Sequence, residues 1–283
     1  MAEALARFPA GLPGILRASN PVAQECFYGN PRYGGFRCPQ PEVPCNASGA
    51  PLLALDSSNS SCFMHLPQPS RGALGVVHFL RNPWDIVVSA YWYHSQKKAP
   101  EGWLNGKWED FFRLMGKTGV PLQRLADLGL GAVQQHAGQS YAEVLRALPD
   151  EQGVQLEFWR SAPAMYAMAR QYGILQHHPD AQQVQFEQMM ASFEATWRGI
   201  LQRYYPQVLE RVMKGVQECD PGSWDQEKVA VSAHVTSSKH PPEAKDRLLR
   251  VLATQPDIRR HLCELTPAVG YPNPEGLCES STD

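Results

Sequence analysis

Val76-Val77-His78-Phe79-Leu80-Arg81-Asn82-Pro83-Trp84-Asp85-Ile86-Val87-Val88-Ser89-Ala90-Tyr91 reads as a buried strand, a tight turn and the start of a helix. The mostly apolar run to Leu80 has the composition of a strand covered on both faces. Pro83 then stands where a first helical residue prefers a fixed φ, and Asp85 lies in the first turn, where the helix dipole favours an acid. Arg81 and Ser89 bracket that helix start. Backbone N–H groups and a planar guanidinium placed there can hold an anion together, so the stretch is a candidate phosphate clamp.

Outward from the clamp, the pattern predicts a strand over 75–80 and a helix from Pro83 to Lys97. A short strand is expected within Pro51–Leu55. After a loop at Ala99–Gly106, helical periodicity dominates: a helix starts near Trp108, a capping box at Ser140-Tyr141-Ala142-Glu143 opens another, and a longer one covers Asp150–Tyr172 with Pro163 as a kink or restart. Val184-Gln185-Phe186-Glu187 alternates as a short strand, followed by a helix over Ser192–Tyr205. Pro206 can open the next helix, and two more are expected at Pro242–Thr254 and Asp257–Leu265. Strands interleaved with helices predict an α/β fold with a parallel sheet, in one domain spanning 1–283.

The formal net charge of −2 supplies no basic field for nucleic acid, so any phosphate binding must be local. No run of about 18 apolar residues is present, so no membrane-spanning segment is expected within the chain. The seven cysteines include no C-x-x-C pair and no histidine at zinc-ligand spacing, so no metal site is expected. Four of them, Cys26, Cys38, Cys45 and Cys62, share the first 62 residues with the glycosylation-type sequons at Asn46 and Asn59. Clustered cysteines with sequons fit an oxidising secretory compartment and a glycoprotein; chance sequons and buried free thiols fit them as well.

R-x-P-x-x-x-x-x-S after a buried strand resembles the 3′-phosphate-binding element of sulfotransferases that use 3′-phosphoadenosine-5′-phosphosulfate (PAPS). Other segments follow in the family's order. Gln24-Glu25-Cys26-Phe27-Tyr28 resembles the K-E-x-x-F-F stretch of Golgi carbohydrate sulfotransferases, and the Ser-rich turn at Asp56–Phe63 is similar to theirs. His65-Leu66-Pro67 is similar to the T-H-L-P element of the cytosolic branch, with Met64 in place of the hydroxyl residue. Val184-Gln185-Phe186-Glu187-Gln188-Met189 resembles V-x-Y-E-D-L. The likeness covers residues 20–205.

This resemblance implies a P-loop nucleotide-binding-like three-layer fold, PAPS as co-substrate, and sulfuryl transfer to a hydroxyl or amine acceptor, with a carbohydrate favoured. Arg81 and Ser89 would contact the donor's 3′-phosphate. The family's P-K-S-G-T-T loop, which cradles the 5′-phosphosulfate, has no counterpart in the chain. Residues 2–9 read like the helix after that loop. The expectation is therefore a fold lacking its first strand, with Met1 an internal start, a Golgi location if an anchor precedes it and a cytoplasmic one otherwise. On the same ground the activity of the chain is in doubt, and a non-catalytic module binding a 3′-phosphoadenosine nucleotide or an acidic glycan is the alternative.

Sulfuryl transfer needs a base near the acceptor hydroxyl and positive charge at the departing oxygen. His65 titrates near neutrality, and Glu25 occupies the position of the Golgi branch's acid base; both stand as candidates. Lys239, among Thr236, Ser237 and Ser238, is the candidate cation, with a solvated loop lysine as the competing reading. His78 is expected in the core of its strand. His94 either lines the site or faces water, and Trp103 and Trp108 either pack or stack on an acceptor.

Overall fold

The computed structural model describes residues 52–56, 74–96, 102–117, 120, 122–131, 133–179, 181–204, 206, 209–217, 220–225, 227, 229 and 240–278. The described part is mainly helical around a small parallel sheet, an α/β arrangement. Strands β1 (Leu52–Asp56), β2 (Leu74–Leu80) and β3 (Ala181–Gln185) are hydrogen-bonded in that order. Between β2 and β3 lie α1 (Pro83–His94), α2 (Trp108–Lys117), α3 (Leu122–Asp127), α4 (Tyr141–Ala147) and α5 (Asp150–Leu175). After β3 come α6 (Phe186–Ala191), α7 (Phe193–Tyr204), α8 (Leu209–Gln217), α9 (Pro242–Thr254) and α10 (Pro256–Ala268).

The chain groups into two compact units. One takes in the strands up to Arg81 and Ala167–Asp225; the other comprises Asn82–Tyr166 and Gln226–Asp283. The boundary falls between Arg81 and Asn82, inside the stretch that sequence reading treats as one clamp.

In the first unit the period-2 alternation of β2 sets the core. Val77 and Phe79 share a face with Val184 of β3 and pack with Met189, Trp197, Ile200, Leu201, Met213 and Val216 of α6, α7 and α8. Each such side chain contributes about 1.5–3 kcal/mol on burial. His78 points the other way, fully buried, with Nδ1 2.8 Å from Gln183 Oε1 on the strand position opposite it. Burial lowers its pKa, and hydrogen bonding with Gln183 and Gln171 opposes that. It is a core histidine, as its place in the strand predicts.

The strand expected at Val184–Glu187 lies earlier, at Ala181–Gln185, and Phe186 is already helical. Val184 and Phe186 look like strand alternation. Yet Phe186, Met189, Met190 and Phe193 carry helical spacing, and all four pack on the core of this unit. The strand half, Ala-Gln-Gln-Val-Gln, is too polar to announce itself and owes its conformation to pairing with β2.

The second unit is built on α1. Its Trp84, Val87, Val88, Tyr91 and Trp92 are buried, and α9 and α10 pack against it with Leu248, Leu252, Ile258, Leu262 and Leu265 in the core. Lys245 pairs with Asp85 at 2.8 Å, and the Trp92 ring stacks on His240 at 4.2 Å. Tyr91 donates to Asp150 Oδ1 at 2.7 Å, and Arg247 bridges Asp150 and Glu151. Pro163 sits inside α5 without ending it. The capping box at Ser140 forms as read, with Ser140 N donating to Glu143 Oε2 and Glu143 N to Ser140 Oγ.

Close approach of α5 to α1 depends on Gly153, because a Cβ there would lie 2.5 Å from Cε2 of the buried Tyr91 ring. Gly153→Ala is therefore expected to destabilise by about 1–3 kcal/mol through overpacking, despite alanine's better helix propensity. Denaturant unfolding checks this, and an unchanged midpoint would refute it.

Cys263 of α10 is disulfide-bonded to Cys278, which ties down the segment after the helix. Closing a loop of 15 residues is worth about 3 kcal/mol. Reduction should lower the melting temperature of the wild type and leave Cys263→Ser, already lowered, unmoved. Equal melting temperatures with and without reductant in the wild type would contradict this.

Candidate functional site

The stretch read as a clamp begins where β2 stops. Leu80 is the last strand residue, Arg81 and Asn82 are irregular, and Asn82 is the N-cap of α1 with φ −56° and ψ 125°. Asn82 Oδ1 accepts from Trp84 N at 3.0 Å, and Asn82 O accepts from Ile86 N at 2.9 Å. Pro83 has no N–H to offer. The capping asparagine thus takes one first-turn donor, Trp84 N, while the bond from Ile86 N is the first of the helix itself.

Arg81 is half-buried and its guanidinium lies over the Phe186 ring, 4.5 Å from the centroid. Ser89 lies on α1, half-buried, between the buried Val88 and the half-buried Ala90. Arg81 belongs to the first unit and Ser89 to the second. Asp85, the acid expected in the first turn, is there and holds Lys245.

Glu25, His65 and Lys239 lie outside the described residues, as do Cys26, Cys38, Cys45, Cys62, both sequons and the expected helix at 2–8. The two tryptophans part company. Trp108 is fully buried, while Trp103 is 40% exposed on the turn Gly102–Asn105. Trp108 is a packing residue.

A second polar cluster, inside the second unit, escaped sequence reading. Glu157 of α5 is fully buried. Its Oε1 lies 2.9 Å from His94 Nδ1 and 2.5 Å from the donating Tyr141 hydroxyl, while Arg160 Nε donates to Oε2 at 2.8 Å. Burial alone would raise the Glu157 pKa, but the charges of Arg160 and His94 and the hydrogen bonds from His94 and Tyr141 hold it down to about 2. The Tyr141 hydroxyl is pushed well up by burial and by the adjacent carboxylate. His94, which sequence reading left between site and solvent, is 5% exposed and meets Trp103 edge-on at 5.0 Å. The available signal was a lone acid between Leu156 and Phe158 in an apolar stretch, with Arg160 three residues on.

Among the described residues no group of three or more His, Cys, Asp or Glu side chains could hold a metal ion, and no helix is long and apolar enough to cross a membrane. No family model, curated protein or solved structure matches the chain.

Proposed function

We propose that the chain is a PAPS-dependent sulfotransferase of P-loop-like fold, transferring a sulfuryl group to a hydroxyl or amine acceptor with a carbohydrate favoured. The observation that carries the reading is local: a parallel strand ending in Arg81, a capped turn, and a proline-initiated helix bearing Ser89. Arg81 supplies the fork geometry that a phosphate dianion selects, and Ser89 a hydroxyl donor. In this reading His65 or Glu25 takes the acceptor proton and Lys239 assists the departing charge. The Cys263–Cys278 bond supports an oxidising lumen such as the Golgi.

Calorimetric titration with adenosine 3′,5′-bisphosphate (PAP) against adenosine 5′-monophosphate tests the donor site. Preference for the bisphosphate by at least tenfold is expected; equal affinities, or no binding, would sink it. Transfer of labelled sulfate from PAPS to an acceptor panel then tests turnover. The sequence lacks the P-K-S-G-T-T loop, and this favours a second reading, nucleotide binding without transfer. Tight bisphosphate binding with no transfer would select that one.

A further inference from the structure

Glu157 places a full carboxylate charge in the interior of the second unit, where three donors offset the cost of its desolvation. What the carboxylate does is fix a histidine. Ionised, it only accepts, so the proton shared with His94 must sit on Nδ1. Nε2, the other ring nitrogen, is then held in a defined direction. Among the described residues Nε2 makes no hydrogen bond, although the side chain lies almost entirely inside. Tyr141 and Arg160 hold the carboxylate from two further positions, so the ring cannot reorient without breaking a three-donor network.

Beside this nitrogen stands Trp103, one of two large apolar side chains exposed among the described residues. Its ring is supported by Phe111 at 6.0 Å and by Tyr141 at 5.6 Å, with the Arg160 guanidinium 5.5 Å from its centroid. An indole held rigid by other rings while partly open to solvent is a platform for the C–H face of a sugar. The adjacent oriented ring nitrogen would read one hydroxyl.

We propose that His94, oriented by Glu157, and Trp103 form a carbohydrate-binding site: the sugar ring lies on the indole and a hydroxyl hydrogen-bonds with His94 Nε2. Glu157 is a positioning residue here, since it acts through His94. The proposal concerns sugar binding and does not depend on the nucleotide. It rests on the sulfotransferase reading only where the bound sugar is taken to be the sulfuryl acceptor.

The test is calorimetry on the full chain, with N-acetyllactosamine and chitobiose as probes and p-nitrophenol as the contrasting ring. Saturable sugar binding is expected, weakened at least tenfold in Trp103→Ala and in His94→Phe. Trp103 packs on Phe111, Tyr141 and His94, so the melting temperature of its variant is measured beside its binding. For His94, nitrogen-15 spectra of the wild type give a readout free of folding effects: protonation on Nδ1, and an Nε2 shift on adding sugar. Three results would overturn the proposal: no saturable binding of either sugar, binding unchanged in Trp103→Ala, or p-nitrophenol binding in place of the sugars. A failed PAP titration with intact sugar binding would remove the sulfotransferase reading and leave this site standing.

Discussion

Glu157→Ala should cost the protein about 3–5 kcal/mol, the largest loss expected of any single substitution considered. The variant strands the guanidinium of Arg160, the Tyr141 hydroxyl and Nδ1 of His94 around an empty buried position. Each is a donor that has lost its acceptor out of reach of water. Glu157→Gln keeps the shape and one acceptor oxygen but puts an amide N–H against a donor, so it should fall between alanine and wild type. Denaturant unfolding at pH 7 measures all three. A loss below about 1 kcal/mol for alanine would mean that the network is dispensable.

The same carboxylate predicts an acid limb of stability. Its folded pKa is held at about 2, against 4.5 for an unperturbed glutamate. A group with a depressed folded pKa binds more protons when unfolded, so its contribution is fully present above pH 4.5 and is lost as the pH falls towards 2. The shift corresponds to about 3 kcal/mol, comparable in size with the alanine effect. Glu157→Gln should flatten the pH dependence between those limits. A wild-type curve no steeper than that of the variant would contradict the assignment.

Arg81→Ala is expected to weaken binding of the 3′,5′-bisphosphate by about 10- to 150-fold, the equivalent of one hydrogen-bonded charge contact at 1.5–3 kcal/mol. Adenosine 5′-monophosphate, which lacks the 3′ group, should bind the variant and the wild type alike. Arg81→Lys should recover only part of the loss, because an ammonium keeps the charge but not the fork or the flat stacking on Phe186. Ser89→Ala, which removes one neutral donor, should cost less than Arg81→Ala. Equal loss for both nucleotides in Arg81→Ala would mean that the arginine serves the fold and not the 3′-phosphate.

Sequence reading located α1, α2, α9 and the Ser140 capping box because each carries its own punctuation. Pro83 and Pro242 open helices, and Ser140 and Glu143 satisfy one another within a single turn. β3 was misplaced because its polar residues are strand only by virtue of the partner beside them. The strand end and the proline-opened helix around Arg81 and Ser89 were legible as a motif. Its use of Asn82 as the cap was not, because whether a side chain or an anion takes the first N–H groups depends on the turn's dihedral angles.

Local order therefore came from the sequence by itself: where strands end, where helices begin, and that Arg81 and Ser89 flank one such beginning. Only the tertiary structure decided which charged and aromatic groups meet. Glu157 and His94 are 63 residues apart, as ordinary in the sequence as any exposed acid or histidine. Trp103 and Trp108, alike in the sequence, become a surface ring and a core ring. The physical reason is range. Caps and periodicity act over one or two turns of chain, whereas burial of a charge is settled by everything that folds around it.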